Sequence, residues 1–233
     1  MTSAWTLRCA AALLLAVPGL AAAAAPAKGR PPAKAPAKPA AKVVKITPLT
    51  CAAPIGKLDS GKALERRFGD NATASTRPDE RGLQVFKVTL YPDEPARRIE
   101  VLYSDAAMRV PLGVRIDRVA STWSVGGLRV GESLAAAVSR NGGPITLRGF
   151  APGDGGRVTD WKGGKLGAAL LGGCTVGLRL IAPLPEEVAA AANGAERTLR
   201  SDQAEVLAAQ PIIAELSLTW PATPPATKPR KRK

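Results

Sequence analysis

The chain has 233 residues, with 33 Lys plus Arg against 19 Asp plus Glu, a formal net charge of +14, and no histidine. Lack of histidine excludes Ser-His and Cys-His nucleophilic schemes and most zinc sites. Aromatic residues make up only 4% of the chain, so a core must be built from Leu, Val, Ile and Ala.

Residues 1–25 place Arg8 ahead of an apolar run from Cys9 to Leu20, followed by small residues at Ala22 to Ala25. A charged start, a short apolar centre and a small-residue exit form the pattern of a cleavable secretory signal. Pro18 and Gly19 interrupt the run, and it is shorter than the roughly 20 apolar residues a membrane span needs. Cys9 stands at the start of the run, where a lipid-modified cysteine would follow it. The expectation is a periplasmic or secreted protein with no lipid anchor and no transmembrane segment after signal cleavage.

Residues 26–45 carry six cations and no acid in an Ala/Pro/Lys-rich stretch. Such a segment buries too little apolar surface to offset its ordering entropy, and its prolines favour an extended spacer. Residues 222–233 form a second tail, Pro-rich and then polybasic, ending in Lys228, Arg230, Lys231, Arg232 and Lys233. These ends suit a polyanion such as anionic lipid or lipopolysaccharide, or serve as solvated linkers. Nucleic acid would satisfy the same charge but is not an expected partner, because an exported protein rarely meets it and neither tail has the interleaved aromatics of a single-strand binder. Between residues 46 and 227, 21 Lys plus Arg face all 19 acids, so the excess over neutrality there is only +2. The basicity therefore belongs mainly to the tails, and residues 46–221 are expected to fold as one nearly neutral domain.

Removal of the signal leaves two cysteines, Cys51 and Cys174. An even pair in an oxidising compartment predicts one disulfide, the alternative being two free buried thiols. An internal likeness also runs through the domain. Leu58, Gly61, Leu64, Phe68 and Asn71 match Leu128, Gly131, Leu134, Val138 and Asn141 in kind at a constant offset of 70. Leu64 with Phe68, and Leu134 with Val138, stand four apart, the spacing of one helical face. Gly69 ends the first helix; Asn141-Gly142-Gly143-Pro144 ends the second. Strand-like runs follow each: 83–91 and 98–103 after the first, 144–150 and 157–161 after the second, then 175–181 and 212–220. An Ala-rich stretch covers 186–193, and 201–210 reads as a polar turn or short helix. The predicted fold class is α+β: short helices packed on a mostly antiparallel sheet, in two tandem helix–hairpin repeats at about 46–110 and 111–221.

The succession Gly127-Leu-Arg-Val-Gly-Glu-Ser-Leu134, Asn141-Gly-Gly-Pro144, Leu147-Arg-Gly-Phe150, Asp154-Gly-Gly156 and Trp161-Lys-Gly-Gly164 resembles a family of secreted bacterial proteins of uncharacterised function. The chain departs from that pattern at Ile145, where an aromatic is usual, and at residues 151–153. The Gly-x-Ser-Leu helix followed by Asn-Gly-x-Pro also resembles the tandem-repeat fold of β-lactamase-inhibitor proteins and of single-repeat outer-membrane assembly lipoproteins. That likeness implies two short helices on an antiparallel sheet, with protein binding through its concave face.

No Ser-x-x-Lys occurs, and Ser60-Gly-Lys62 lacks the glycine spacing and preceding strand of a phosphate loop. Asp154 and Asp160 flank a Gly-rich turn. They could serve as a carboxylate pair for an envelope polysaccharide hydrolase, or Asp154 could bond its own turn. Trp123 reads as core. Trp161, beside Lys162-Gly-Gly, suits either the core or a sheet-edge binding position. Asn141, Phe150, Asp154 and Trp161 are the candidate binding residues. No metal ligand set and no cofactor are expected. The functional expectation is a non-catalytic binding or structural module of the cell envelope whose partner is an envelope protein or polymer.

Overall fold

A serine starts each of the two longer helices. The Ser60 hydroxyl accepts the Ala63 backbone N–H at 3.2 Å and opens α1, Gly61–Phe68. The Ser133 hydroxyl accepts the Ala136 N–H at 3.3 Å and opens α2, Leu134–Asn141. Each hydroxyl satisfies a backbone donor that the first helical turn leaves without a partner. Gly142 closes α2 at φ 84°, a left-handed position that glycine adopts without a Cβ penalty, and its N–H returns to the Val138 carbonyl.

The computed structural model describes residues 45–79, 82–151, 154–182 and 197–221. The expected signal, the linker apart from Lys45, the Ala-rich stretch and the C-terminal tail from residue 222 lie outside the described residues. Among those described, no helix is long and apolar enough to cross a membrane.

Four strands follow α1: β2 Ala72–Pro78, β3 Gln84–Leu90, β4 Ile99–Tyr103 and β5 Pro111–Ile116. β1, Thr47–Pro48, pairs in parallel with β6, Trp123–Ser124. After α2 come β7 Thr146–Arg148, β8 Val158–Asp160, β9 Thr175–Ile181, β10 Thr198–Arg200, the short helix α3 Ala204–Ala208 and β11 Ile212–Thr219. The main sheet has six strands in the order β2-β3-β4-β5-β11-β9, antiparallel throughout. A second antiparallel sheet runs β10-β7-β8. The fold is α+β, with short helices on mostly antiparallel sheets.

Alternation along the strands separates the two faces of the main sheet. Val88, Leu90, Ile99, Val101, Val114, Ile116, Val176, Leu178, Leu216 and Leu218 are all buried and form the core face. Leu64 of α1, Leu134 of α2 and Leu128, Ile145 and Leu147 join the same cluster. Lys87, Glu100, Arg115, Glu215 and Arg179 occupy the alternate positions. Cys51 and Cys174 form a disulfide across 123 residues of chain. Both cysteines are buried, and the Trp220 indole N–H donates to the Cys51 carbonyl at 3.1 Å.

The helix starts differ by 73 residues, not by the 70 of the sequence match. Ser60 is therefore equivalent to Ser133, whereas Leu64 sits one turn into α1 and Leu134 begins α2. The chain after α1 forms a four-stranded meander, and the chain after α2 splits between two sheets. Two identical helix–hairpin units do not describe this arrangement.

Candidate functional site

Five charged side chains cross the outer face of the main sheet in alternating sign: Lys87 on β3, Glu100 on β4, Arg115 on β5, Glu215 on β11 and Arg179 on β9. The strand register makes this row. Glu100 stands directly opposite Arg115, and Glu215 directly opposite Arg179. Opposite charges at such positions attract across the 4.5–5.5 Å that separates facing side chains.

Glu100 is the fixed point of the row, with only 2% of its surface exposed. Lys87 Nζ donates to its Oε1 at 2.5 Å and Arg98 Nη2 to the same oxygen at 3.0 Å. Arg115 takes the other oxygen with Nε at 3.0 Å and with Nη2. Burial alone would raise the Glu100 carboxyl. The hydrogen bond from Lys87, with the charge and hydrogen bond of Arg115, overcomes that and lowers it to about 2. Reciprocally, burial works against the Arg115 charge, and the Glu100 carboxylate outweighs it, holding the guanidinium above its ordinary value. Arg115 is thereby pinned in place before any ligand arrives.

Glu215 is held more loosely. Arg157 Nη1 lies 3.7 Å from its Oε1, Arg179 Nε 3.7 Å from its Oε2 and Arg115 Nη1 3.9 Å from its Oε2. These are ion pairs beyond hydrogen-bond reach. Arg157 comes from outside the main sheet: it bridges to Arg179 just before β8 and so attaches the second sheet to the β9 edge.

A cavity of about 640 Å³ opens over this row. Among the described residues, five cations line it, Arg77, Lys87, Arg115, Arg157 and Arg179, against three carboxylates, Asp79, Asp154 and Glu215. The lining has a surplus of two positive charges. Adding the Arg98 and Glu100 pair beneath it leaves that surplus unchanged.

No family model matches this chain, and no curated protein or solved structure matches it.

The residues expected from sequence fall in several places. Asn141 is 1% exposed and ties loops together. Its side-chain amide donates to the Gly143 carbonyl at 3.1 Å and the Trp161 carbonyl at 2.9 Å, and its oxygen accepts the Leu166 N–H at 3.3 Å. Phe150 is half-buried and packs against the core. Trp123 is buried, and its indole donates to the Arg97 carbonyl at 2.8 Å. Trp161 is half-buried, packs on the core edge and lines a shallower depression with Asp160.

Asp154 lines the cationic cavity and pairs with Arg157 at 3.8 Å. Asp160 lines the other depression, so the two carboxylates open onto separate surfaces. Asp160 caps its own turn, accepting the Lys162 N–H at 2.7 Å and pairing with Lys162 Nζ at 2.9 Å. The Lys162 side chain, and then its backbone N–H, hold the Asp160 carboxyl below its usual value, the opposite of what a general acid requires. The polybasic residues from Lys228 to Lys233 lie outside the described residues.

Sequence reading passed over Arg77, Arg115, Arg179 and Glu215. A signal for two of them was present. Arg179 in Val-Gly-Leu-Arg-Leu-Ile and Glu215 in Ile-Ile-Ala-Glu-Leu-Ser-Leu are single charges inside otherwise apolar strands. A charge at such a position needs a partner across the sheet.

Proposed function

We propose that this protein is an exported, non-catalytic binding module of the cell envelope, periplasmic or secreted, and that the cationic cavity over the main sheet receives an anionic ligand. The observation that carries this reading is the surplus of positive charge in a preorganised cavity. Arg115 is fixed by the buried Glu100, while Arg157 and Arg179 face the cavity with ion pairs too long to be hydrogen bonds. The basic tails add a second, less specific attraction to anionic lipid, lipopolysaccharide or acidic wall polymer. The Cys51–Cys174 disulfide fits an oxidising compartment.

Two measurements test this. Cell fractionation with mass spectrometry should find the chain outside the cytoplasm without residues 1–25; intact chain confined to the cytoplasm would end the export reading. Heparin, a model polyanion, separates the cavity from the tail. Full chain carrying Arg157→Gln and Arg179→Gln should elute at lower salt than wild type. Neutralising Lys228, Arg230, Lys231, Arg232 and Lys233 should lower elution further and independently. Unchanged elution of the Arg157/Arg179 variant would remove the cavity from the function.

A further inference from the structure

We infer that the cavity ligand is a compact dianion of the phosphomonoester type, held by Arg157 and Arg179. This rests on the reading of the cavity as the ligand site and names the chemistry that site selects.

Charge sets the valence. Among the described residues the lining carries five cations and three carboxylates, so a ligand with two negative charges brings these groups to neutrality and a monoanion leaves one charge uncompensated. A phosphomonoester carries about −1.5 to −2 near pH 7 on three strong acceptor oxygens.

Donor geometry sets the shape. Lys87 and Arg115 spend hydrogen bonds on Glu100. Among the described residues, Arg157 and Arg179 make only contacts of 3.7 and 3.8 Å. Arg157 and Arg179 therefore keep their N–H forks for a ligand. A guanidinium fork matches two oxygens on one phosphorus, or two on one carboxylate. Arg157 and Arg179 both approach the single Glu215 carboxylate, one at each oxygen, so their forks converge on one small region. Convergence suits two charges on one centre and disfavours two charges spread along a chain.

Glu215 orders the site by spacing the two guanidiniums, one at each of its oxygens. Arg157 and Arg179 share a backbone bridge that ties the start of β8 to β9, so little ordering of the backbone accompanies binding.

Isothermal titration of the full, disulfide-bonded chain tests the inference, with glycerol phosphate, dimethyl phosphate and succinate as probes at one ionic strength held by chloride. Glycerol phosphate should bind saturably with one equivalent. Dimethyl phosphate has one charge and one unesterified oxygen fewer, and succinate has two charges on separate centres; each should bind at least about tenfold more weakly. Arg157→Gln with Arg179→Gln should weaken glycerol phosphate by at least about tenfold. Because that pair also strips Glu215 of two cations, Arg179→Gln alone gives a second test that leaves the Arg115 and Arg157 pairs with Glu215 intact, and it should weaken binding several-fold.

Equal affinity for the monoester and diester, or for the monoester and succinate, would overturn the assignment. Equal glycerol phosphate affinity in wild type and folded Arg179→Gln would overturn it as well. No saturable phosphate binding, with heparin retention still dependent on Arg157 and Arg179, would overturn the compact dianion while leaving the cavity as a polyanion site. Loss of both would overturn both.

Discussion

Glu100 and Arg115 face each other in register on β4 and β5, and Lys87 reaches the same carboxylate from β3. The carboxyl is nearly unexposed and held at about 2, against an ordinary value of 4.5. A carboxyl with a lowered native value binds more protons in the unfolded chain, so stability rises with pH through the interval between the two values. The contribution is complete above about pH 5 and lost as pH falls toward 2. A shift of this size corresponds to about 3 kcal/mol. Denaturant unfolding at pH 7 and pH 3 should show a large acid loss in wild type and a reduced one in Glu100→Gln. At pH 7 the same substitution should destabilise by roughly 3–5 kcal/mol, because it leaves three cations around a neutral amide. Equal acid slopes in both proteins would refute the role given to Glu100.

Cys51 and Cys174 close a loop with a sequence separation of 123. The loop-entropy relation assigns about 4–5 kcal/mol to a cross-link of that length. Cys51→Ala with Cys174→Ala should lower stability by that order, and dithiothreitol should do the same to wild type and nothing to the variant. Denaturant midpoints with and without reductant read the effect. A wild-type midpoint that ignores reductant would show that the cross-link contributes nothing.

Asn141 contacts three backbone groups from three loop positions, and its hydrogen-bonding capacity is matched to them. Asn141→Ala should destabilise by roughly 2–4 kcal/mol, since buried donors and acceptors are left without partners. Asn141→Asp should be no better: it keeps an acceptor for Leu166 but turns a second oxygen toward the Gly143 and Trp161 carbonyls. Hydrogen exchange at the Leu166 amide should quicken in both variants. Native-like stability in Asn141→Ala would return this residue to the candidate binding surface.

Legibility in the sequence followed the strength of local patterning. The apolar pairs Leu64/Phe68 and Leu134/Val138, and Gly69 and Gly142 after them, marked both longer helices. β9 reads as Thr-Val-Gly-Leu-Arg-Leu-Ile, and its bounds agree with expectation because apolar residues alternate without interruption. β2 was missed: Ala-Thr-Ala-Ser-Thr-Arg-Pro is a mostly exposed edge strand whose small and polar residues show no apolar face. β5 was missed because Gly113 breaks its pattern. The ionic site was illegible for a different reason. Its members lie on β2, β3, β4, β5, β11, β9 and beside β8, and only the order β2-β3-β4-β5-β11-β9 brings β11 and β9 beside the earlier strands. Phe150, Asp154 and Trp161 were chosen from one Gly-rich stretch, and only Asp154 borders the cationic cavity.

Gly113 explains how β5 can pair so closely with β11. A Cβ placed there would collide with the Leu218 carbonyl oxygen and sit 3.3 Å from the Thr219 Cα. Both are backbone atoms of the neighbouring strand and cannot rotate away. Glycine to alanine inside a strand ordinarily stabilises by about 0.5–1 kcal/mol through reduced freedom of the unfolded chain. Here the sign should reverse, with Gly113→Ala losing roughly 1–3 kcal/mol to overpacking. Gly177 on β9 is the internal control: its added Cβ would meet the Ser217 hydroxyl, the movable end of a side chain. Gly177→Ala should therefore be the milder change, and Gly177→Ala with Ser217→Ala milder still. Gly113→Ala should also push β5 from β11 and lengthen the Arg115–Glu215 approach, now 3.9 Å, so glycerol phosphate affinity should fall with stability. A Gly113→Ala protein as stable as wild type would mean that the two strands separate freely at this point, and that the charge row does not depend on their spacing.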